Sequence, residues 1–227
     1  MDAIDLTEGS LADKVFLELS KEIVDGTLKP GSKLSEPLLS KRLGVSRGTL
    51  REAIRRLEER HLVTRSPRLG ARVVDIAGPL FVEIATVREA LEGISAREAA
   101  LKITDTQTDE LKRILELHES LLAKEPSPDY ASVGADTDFH FAIARFSGNT
   151  TLFNLLCGEY YQLIRLYRTR HLVLPGRARR ALQEHHRIAD ALFDRDPELA
   201  EIQMRRHVSA ARTAAAATLN LARPEKG

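Results

Sequence analysis

The stretch Leu43–Val63, LGVSRGTLREAIRRLEERHLV, constrains the fold of this chain more than any other. It follows a short helical pattern and contains another, with only Gly44, Val45 and Ser46 between them. The backbone must therefore turn sharply at Gly44 and restart as a helix capped by Ser46. The upstream pattern, SEPLLSKRLG, has Ser35 as its cap, Pro37 in its first turn and Gly44 at its end. The downstream pattern runs to about Arg60 and carries Leu50, Ile54 and Leu57 as one apolar stripe. Arg47 and Arg51, four residues apart, share a different face. Two helices joined this tightly make a helix-turn-helix. The stripe holds the second helix, and its arginines are left to reach an anion.

The flanking segments extend this unit. Residues 10–26 repeat Leu11, Val15, Leu19 and Ile23 at helical spacing between Ser10 and Gly26. In LVTRSPRLGARVVD, β-branched residues flank a turn containing Pro67 and Gly70, which predicts a β-hairpin. Residues 1–75 thus read as three helices and a hairpin. The segment DIAGPL marks a boundary, and the patterns beyond it are helical: 79–102, 105–123, 129–146, 150–172, 176–194 and 197–222. Short Pro-, Gly-, Asn- and Asp-containing connections separate them, as in an antiparallel bundle. The expected fold is mainly α: an N-terminal winged helix-turn-helix joined to an all-α bundle over 79–222.

Charge adds a functional constraint. The chain carries a net +1, but residues 29–72 hold twelve Lys/Arg against four Glu. That block is +8, so the rest of the chain carries about −7. A basic block on an otherwise acidic protein is the footprint of a polyanion partner. Hydrophobic residues make up 43% and charged residues 30%, a balance that excludes a disordered chain. No apolar run is long enough for a membrane span. The opening MDAIDLTEGS lacks a signal pattern, and the single Cys157 can form no internal disulfide. Together these predict a cytoplasmic protein with no membrane partner.

In a helix-turn-helix the second helix enters the major groove and presents its N-terminal residues. Here these are Arg47, Gly48, Thr49 and Arg51. An arginine fork can pair with guanine, Thr49 can meet a phosphate or a thymine methyl, and Gly48 permits close backbone approach. Free N–H groups at the helix start favour phosphate. Arg68 and Gly70 at the hairpin tip, with Arg65 or Arg72, would lie beside this helix as a wing. The segment GTLKPGSKLSEPLLSKRLGVSRGTLREAIRRLEERHLVTRSPRLGARVV resembles the winged helix-turn-helix of GntR-type transcription regulators. The resemblance covers roughly residues 10–75 and implies operator contacts from Arg47, Gly48, Thr49, Arg51 and Gly70. Many members carry an arginine early in the second helix, where this chain has SEPLLS with Pro37. Operator preference therefore does not carry over.

The rear segment gathers histidines. Asp136 and His140 are four apart, and His185, His186 and His207 follow on later helices. Imidazoles with one carboxylate suit a divalent transition ion. Leu182, His185, Ile188, Ala189 and Leu192 share a face, so His185 points inward, whereas His186 falls nearer the side of Asp190. Asp138 competes with Asp136 for the carboxylate role. His118 reads as a core or boundary histidine, and His61 and His171 lie near element ends.

The segments VREALEGISAREAA, DTDFHFAIARFSGN, EHHRIADAL and MRRHV are similar to the FCD ligand-binding domain of the FadR-like branch of GntR regulators. The resemblance implies a metal held by Asp136, His140, His185 and His207, with zinc, nickel, manganese or iron as the ion. It argues against an acyl-CoA ligand. Open coordination positions would take water or an effector carboxylate, with Arg88, Tyr161 and Arg165 as candidate partners. Arg88 has a second reading, a structural salt bridge with Glu92 one helical turn away.

The expected function is a DNA-binding transcription regulator, a repressor among the candidates. It would act as a homodimer on a palindromic operator and respond to a small organic acid. Asp/His₃ chemistry could also activate water in an enzyme, but no general base or substrate motif accompanies it. A purely structural metal is the third reading.

Overall fold

The structure is a computed structural model and describes residues 10–67, 69–75, 79–124, 138–159, 161–172 and 176–221. The chain divides into two compact units, Met1–Ile76 and Ala77–Gly227.

The first unit begins with α1 (Leu11–Val24), closed by a reciprocal capping box. Asp13 N–H donates to Ser10 Oγ at 3.3 Å, and Ser10 N–H donates to Asp13 Oδ2 at 2.8 Å. Its inner face buries Val15, Leu19 and Ile23. The next helix, α2 (Glu36–Leu43), has Pro37 in its first turn, but Ser35 makes no side-chain cap bond. Gly44 ends it at φ 65°, a left-handed conformation that costs glycine no Cβ clash. Ser46 then accepts from Thr49 N–H at 3.1 Å and starts α3 (Arg47–Glu59).

Leu50, Ala53, Ile54 and Leu57 of α3 are completely buried, against α1 and α2. Each of the three larger side chains contributes about 1.5–3 kcal/mol. That outweighs the roughly 0.5–1 kcal/mol a helical glycine such as Gly48 costs. The strands β1 (Val63–Ser66) and β2 (Gly70–Val73) pair antiparallel, with Val63 opposite Val73 and Ser66 opposite Gly70. Lys33 bridges Arg72 on the other edge of β2, so the hairpin is tied to the loop ahead of α2.

The described elements of the second unit are all helical: α4 (Pro79–Lys102), α5 (Asp105–Lys124), α6 (Phe139–Phe146), α7 (Thr150–Asn154), a π-turn (Leu155–Glu159), α8 (Tyr161–Leu172), α9 (Arg177–Phe193) and α10 (Pro197–Leu221). Small residues Ala96, Ala99 and Ala100 let α4 approach its neighbours closely. Arg97–Glu201 and Arg212–Glu89 contacts fix α4 antiparallel to α10. The core between the helices holds Ile103, Leu111, Phe139, Ile143, Phe146, Leu192, Met204 and Val208. Among the described residues no helix is long and apolar enough to cross a membrane.

Two helices differ from the sequence expectation. Within the pattern over 129–146 the described helix starts at Phe139, and residues 129–137 lie outside the described residues. Asp138 is extended at ψ 115° and its carboxylate accepts from the N–H groups of His140 and Phe141, which sets the start there. The pattern over 150–172 is broken, because Gly158 takes φ −93° and ψ −107°, outside the helical region. A glycine inside a helical pattern marks a weak point, and here the chain uses it.

Candidate functional site

The first candidate is the start of α3. Arg47 is exposed and has no ion-pair partner among the described residues. Arg51, on the same face, is also exposed, but its Nε donates to Glu36 Oε2 at 2.7 Å. The Thr49 hydroxyl lies 2.8 Å from Ser46 Oγ, so it is engaged in the cap. The backbone N–H groups of Arg47 and Gly48 precede the first intrahelical bonds and remain donors.

Gly48 and Gly70 differ in what they answer to. A Cβ on Gly48 would meet only Ser46 Oγ at 3.7 Å, so nothing inside the chain requires a glycine there. Gly70 takes φ 76°, so the hairpin itself requires one. Arg68 lies outside the described residues.

The basic block is less free than its charge count implies. Arg42 pairs with Glu22, Arg55 with Glu52 and Glu59, Arg56 with Asp13 and Glu52, and Arg65 with Glu58. Arg72 donates to the Gly31 carbonyl at 2.8 Å, which ties it to the protein. Hydrogen bonds from Arg55 and Arg56 hold the Glu52 carboxyl down at about 2. Bonds from Ser10, with the Arg56 charge behind them, lower Asp13 as well. Neutralised arginines thus line the shank of α3, and the unpaired Arg47 stands at its tip.

The second candidate lies inside the helical unit. His140 from α6, His185 from α9 and His207 from α10 are all buried, with ligand nitrogens within 4.8 Å of one another. His185 Nε2 and His207 Nε2 stand 3.3 Å apart. Two nitrogens each about 2.0–2.1 Å from one tetrahedral ion would be separated by about 3.3–3.4 Å. The spacing serves a shared ion, and equally an N–H···N bond between the rings. Burial depresses His207, opposed by the Glu184 carboxylate, which favours the neutral imidazole a metal needs. The donor set therefore fits a transition ion. Asp136 lies outside the described residues.

One ring is held by stacking, and the other two by carboxylates that are themselves paired with arginine. His185 stacks on Phe139, ring centroids 4.2 Å apart. His207 Nδ1 is 2.7 Å from Glu184 Oε2, and Arg177 donates both terminal nitrogens to the Glu184 carboxylate, at 3.0 and 2.8 Å. Burial works to raise the Glu184 carboxyl, but the bonds from His207 and Arg177 outweigh it and hold it low. His140 Nδ1 stands 2.8 Å from Glu92 Oε2, while Arg88 Nε donates to Glu92 Oε1 at 2.8 Å. The carboxylates Glu92 and Glu184 and the Arg177 guanidinium were absent from the sequence reading as site residues. Their signal was helical spacing: Glu92 one turn after Arg88, and Glu184 two turns after Arg177.

His186 turns outward to Glu119, 2.9 Å away. Asp138 is engaged as the α6 cap. His118 is buried, with its ring centroid 6.2 Å from that of His185, so it neighbours the cluster. Arg88 is buried and its Nε donates to Glu92, the geometry of the salt-bridge reading. Tyr161 is buried beside Phe141, and the Arg165 guanidinium lies 5.8 Å over its ring. Between α9 and α10 a cleft of about 400 Å³ is lined by Glu184, Arg187, Gln203, Arg206, His207 and Ala210.

Comparison with known proteins matches residues 11–73 to bacterial regulatory proteins, gntR family, and residues 83–210 to the FCD domain. A Bacillus subtilis protein named "Uncharacterized HTH-type transcriptional regulator YdhC" is 30% identical over 85% of this chain and 85% of its own length. A Paenarthrobacter nicotinovorans protein named "Probable D-xylose utilization operon transcriptional repressor" is 30% identical over 90% of this chain and 88% of its own. The solved structure of E. coli McbR/YncC shares the fold, with a TM-score of 0.72 at 23% identity, covering 94% of this chain and 98% of that one.

Proposed function

This chain belongs to the gntR family of bacterial regulatory proteins, with an FCD domain behind its winged helix-turn-helix, and on that premise we propose how its two units work. It is a transcription regulator and not an enzyme. Its α3 enters the major groove of an operator, where Arg47, Gly48, Thr49 and Arg51 meet bases and phosphates. The hairpin tip, Arg68 with Gly70, lies beside it as the wing. Two copies reading a palindrome would place their recognition helices about 34 Å apart, so the active species is a homodimer. Repression is the mode we assign, in line with the relative named as a repressor.

In the FCD domain, His140, His185 and His207 hold a divalent transition ion, with Asp136 as the fourth ligand. When bound, that ion supplies Lewis-acid positions for a small organic acid. Tyr161, whose ring lies 5.6 Å from that of Phe141, the residue after His140, and Arg165 are the side chains we assign to the acid. Effector binding changes operator affinity only by the difference in its affinity for the two states of the protein.

The observation that carries this reading is the convergence of three buried imidazoles from three separate helices. The test measures binding of the full-length protein to its own upstream DNA by fluorescence anisotropy. It is run with added zinc, with chelator, and with a panel of organic acids. The reading expects an acid that shifts the operator affinity only in metal-loaded protein. An acid response that survives chelation would refute the metal's role in sensing. Metal that stabilises the fold while no acid shifts DNA binding would support a structural ion.

A further inference from the structure

Arg177 occupies an unfavourable place. It is the first residue of α9, directly after the left-handed Gly176, and its side chain is almost completely buried. A helix N-terminus carries a positive partial charge, so a cation there is at the wrong end. A buried guanidinium also loses its hydration and needs good partners to offset that loss. Its Nε has no hydrogen-bond partner among the described residues. Helix stability therefore does not explain Arg177. Its visible achievement is the two-pronged grip on Glu184, seven residues along the same helix.

Glu184 in turn holds one atom of the histidine cluster. Its Oε2 is 2.7 Å from His207 Nδ1, and His207 Nε2 faces His185 Nε2 on the far side of the ring. An imidazole that donates from Nδ1 to a carboxylate keeps Nε2 as the lone-pair nitrogen, the form that can ligate. With its second oxygen held by Arg177, Glu184 can neither swing away nor rotate. Only the outer side of Glu184 is accessible, through the cleft between α9 and α10, and its side chain retains 22% exposure there.

We infer that Glu184 is a positioning residue for the metal centre, clamped by Arg177 so that His207 presents Nε2 to the ion. This rests on the proposed metal-binding reading. Arg177 is then placed at the start of α9 for the sake of a ring on α10, and the sequence EHH contains a ligand at His185 beside the brace of another ligand.

The experiment separates the two readings. Zinc affinity is measured by chelator competition for full-length wild type, His207→Ala, Glu184→Ala, Glu184→Met, Glu184→Gln and Arg177→Met. The His207 tautomer is read in metal-free protein by nitrogen-15 NMR of the imidazole. We expect His207→Ala to lose binding and Glu184→Ala to bind about 10–100-fold more weakly. Arg177→Met should fall between wild type and Glu184→Ala. In wild type the proton should sit on Nδ1, and in Glu184→Ala the ring should become a mixture of tautomers. If Glu184→Ala proves too unstable, Glu184→Met fills nearly the same volume without an oxygen acceptor and provides the same tautomer readout, whereas the amide oxygen of Glu184→Gln still accepts from Nδ1 and should keep the proton there. Wild-type affinity in Glu184→Ala together with an unchanged tautomer would overturn the inference. If wild type and His207→Ala bind zinc equally weakly, the metal reading fails, yet the tautomer measurement still decides whether Glu184 orients His207.

Discussion

Replacing Gly48 with alanine separates two demands that usually coincide, since stability and DNA affinity should move in opposite directions. The backbone at Gly48 is helical, and the added methyl would find its nearest neighbour, Ser46 Oγ, at 3.7 Å, an ordinary contact. No packing cost arises, and the substitution removes a flexible residue from the unfolded chain. Interior Gly→Ala changes in helices gain about 0.5–1 kcal/mol. Gly48 lies in the first turn, so the lower value of about 0.5 kcal/mol is appropriate. For a unit of this size that raises the melting temperature by about 2–4 °C. The methyl would also project beside Arg47, where the proposed complex brings the duplex backbone close. A tenfold loss of operator affinity, about 1.4 kcal/mol, is the expected scale. Native-state hydrogen exchange at the amides of α3 gives the first quantity, and anisotropy titration of the same protein gives the second. A variant that is more stable and binds DNA as well as wild type would refute the assignment of Gly48 to the DNA face. A less stable variant would refute the packing argument.

Other perturbations test neighbouring claims. Arg47→Ala should weaken operator binding by about 1–3 kcal/mol and narrow the gap in affinity between operator and random duplex, measured by titration of both at one salt concentration. His185→Ala should abolish metal uptake, whereas His186→Ala, which removes only the half-exposed contact with Glu119, should leave it intact by elemental analysis. Glu52 has a folded value of about 2, depressed from 4.5 by Arg55 and Arg56, so the stability it contributes is present above pH 4.5 and is lost as pH falls toward 2. Acid unfolding of the first unit, followed by exchange at α3, should therefore flatten across that window in Glu52→Gln.

The sequence disclosed the front unit in more detail than the rear. Gly44, Ser46 and the Leu50–Ile54–Leu57 stripe are local signals, each acting within a turn or two of the chain, and the structure has the turn, the cap and the buried face at those residues. Ser35 shows the limit: its type and position suit a cap, yet α2 starts without its side chain. In the rear unit the helices were legible from periodicity, but two boundaries were not. Asp138 stops the pattern with a side-chain bond that competes with helix continuation, and Gly158 breaks it through backbone freedom. The inward turn of His185 followed from its apolar neighbours. The bracing of His207 by Glu184 did not, because that contact joins residues 23 apart on two different helices. Likewise, counting charge in residues 29–72 could not reveal that the arginines along α3 already face carboxylates, one of them, Asp13, on α1.

That internal neutralisation has a consequence for how the protein searches a chromosome. Non-sequence-dependent adhesion to DNA grows with the number of phosphates a protein neutralises, and each one displaces bound counterions. Arginines already satisfied at home release few of them. A molecule built this way should let go of random duplex readily and relocate by short hops, staying only where the few cations at the end of its reading helix find a matching sequence.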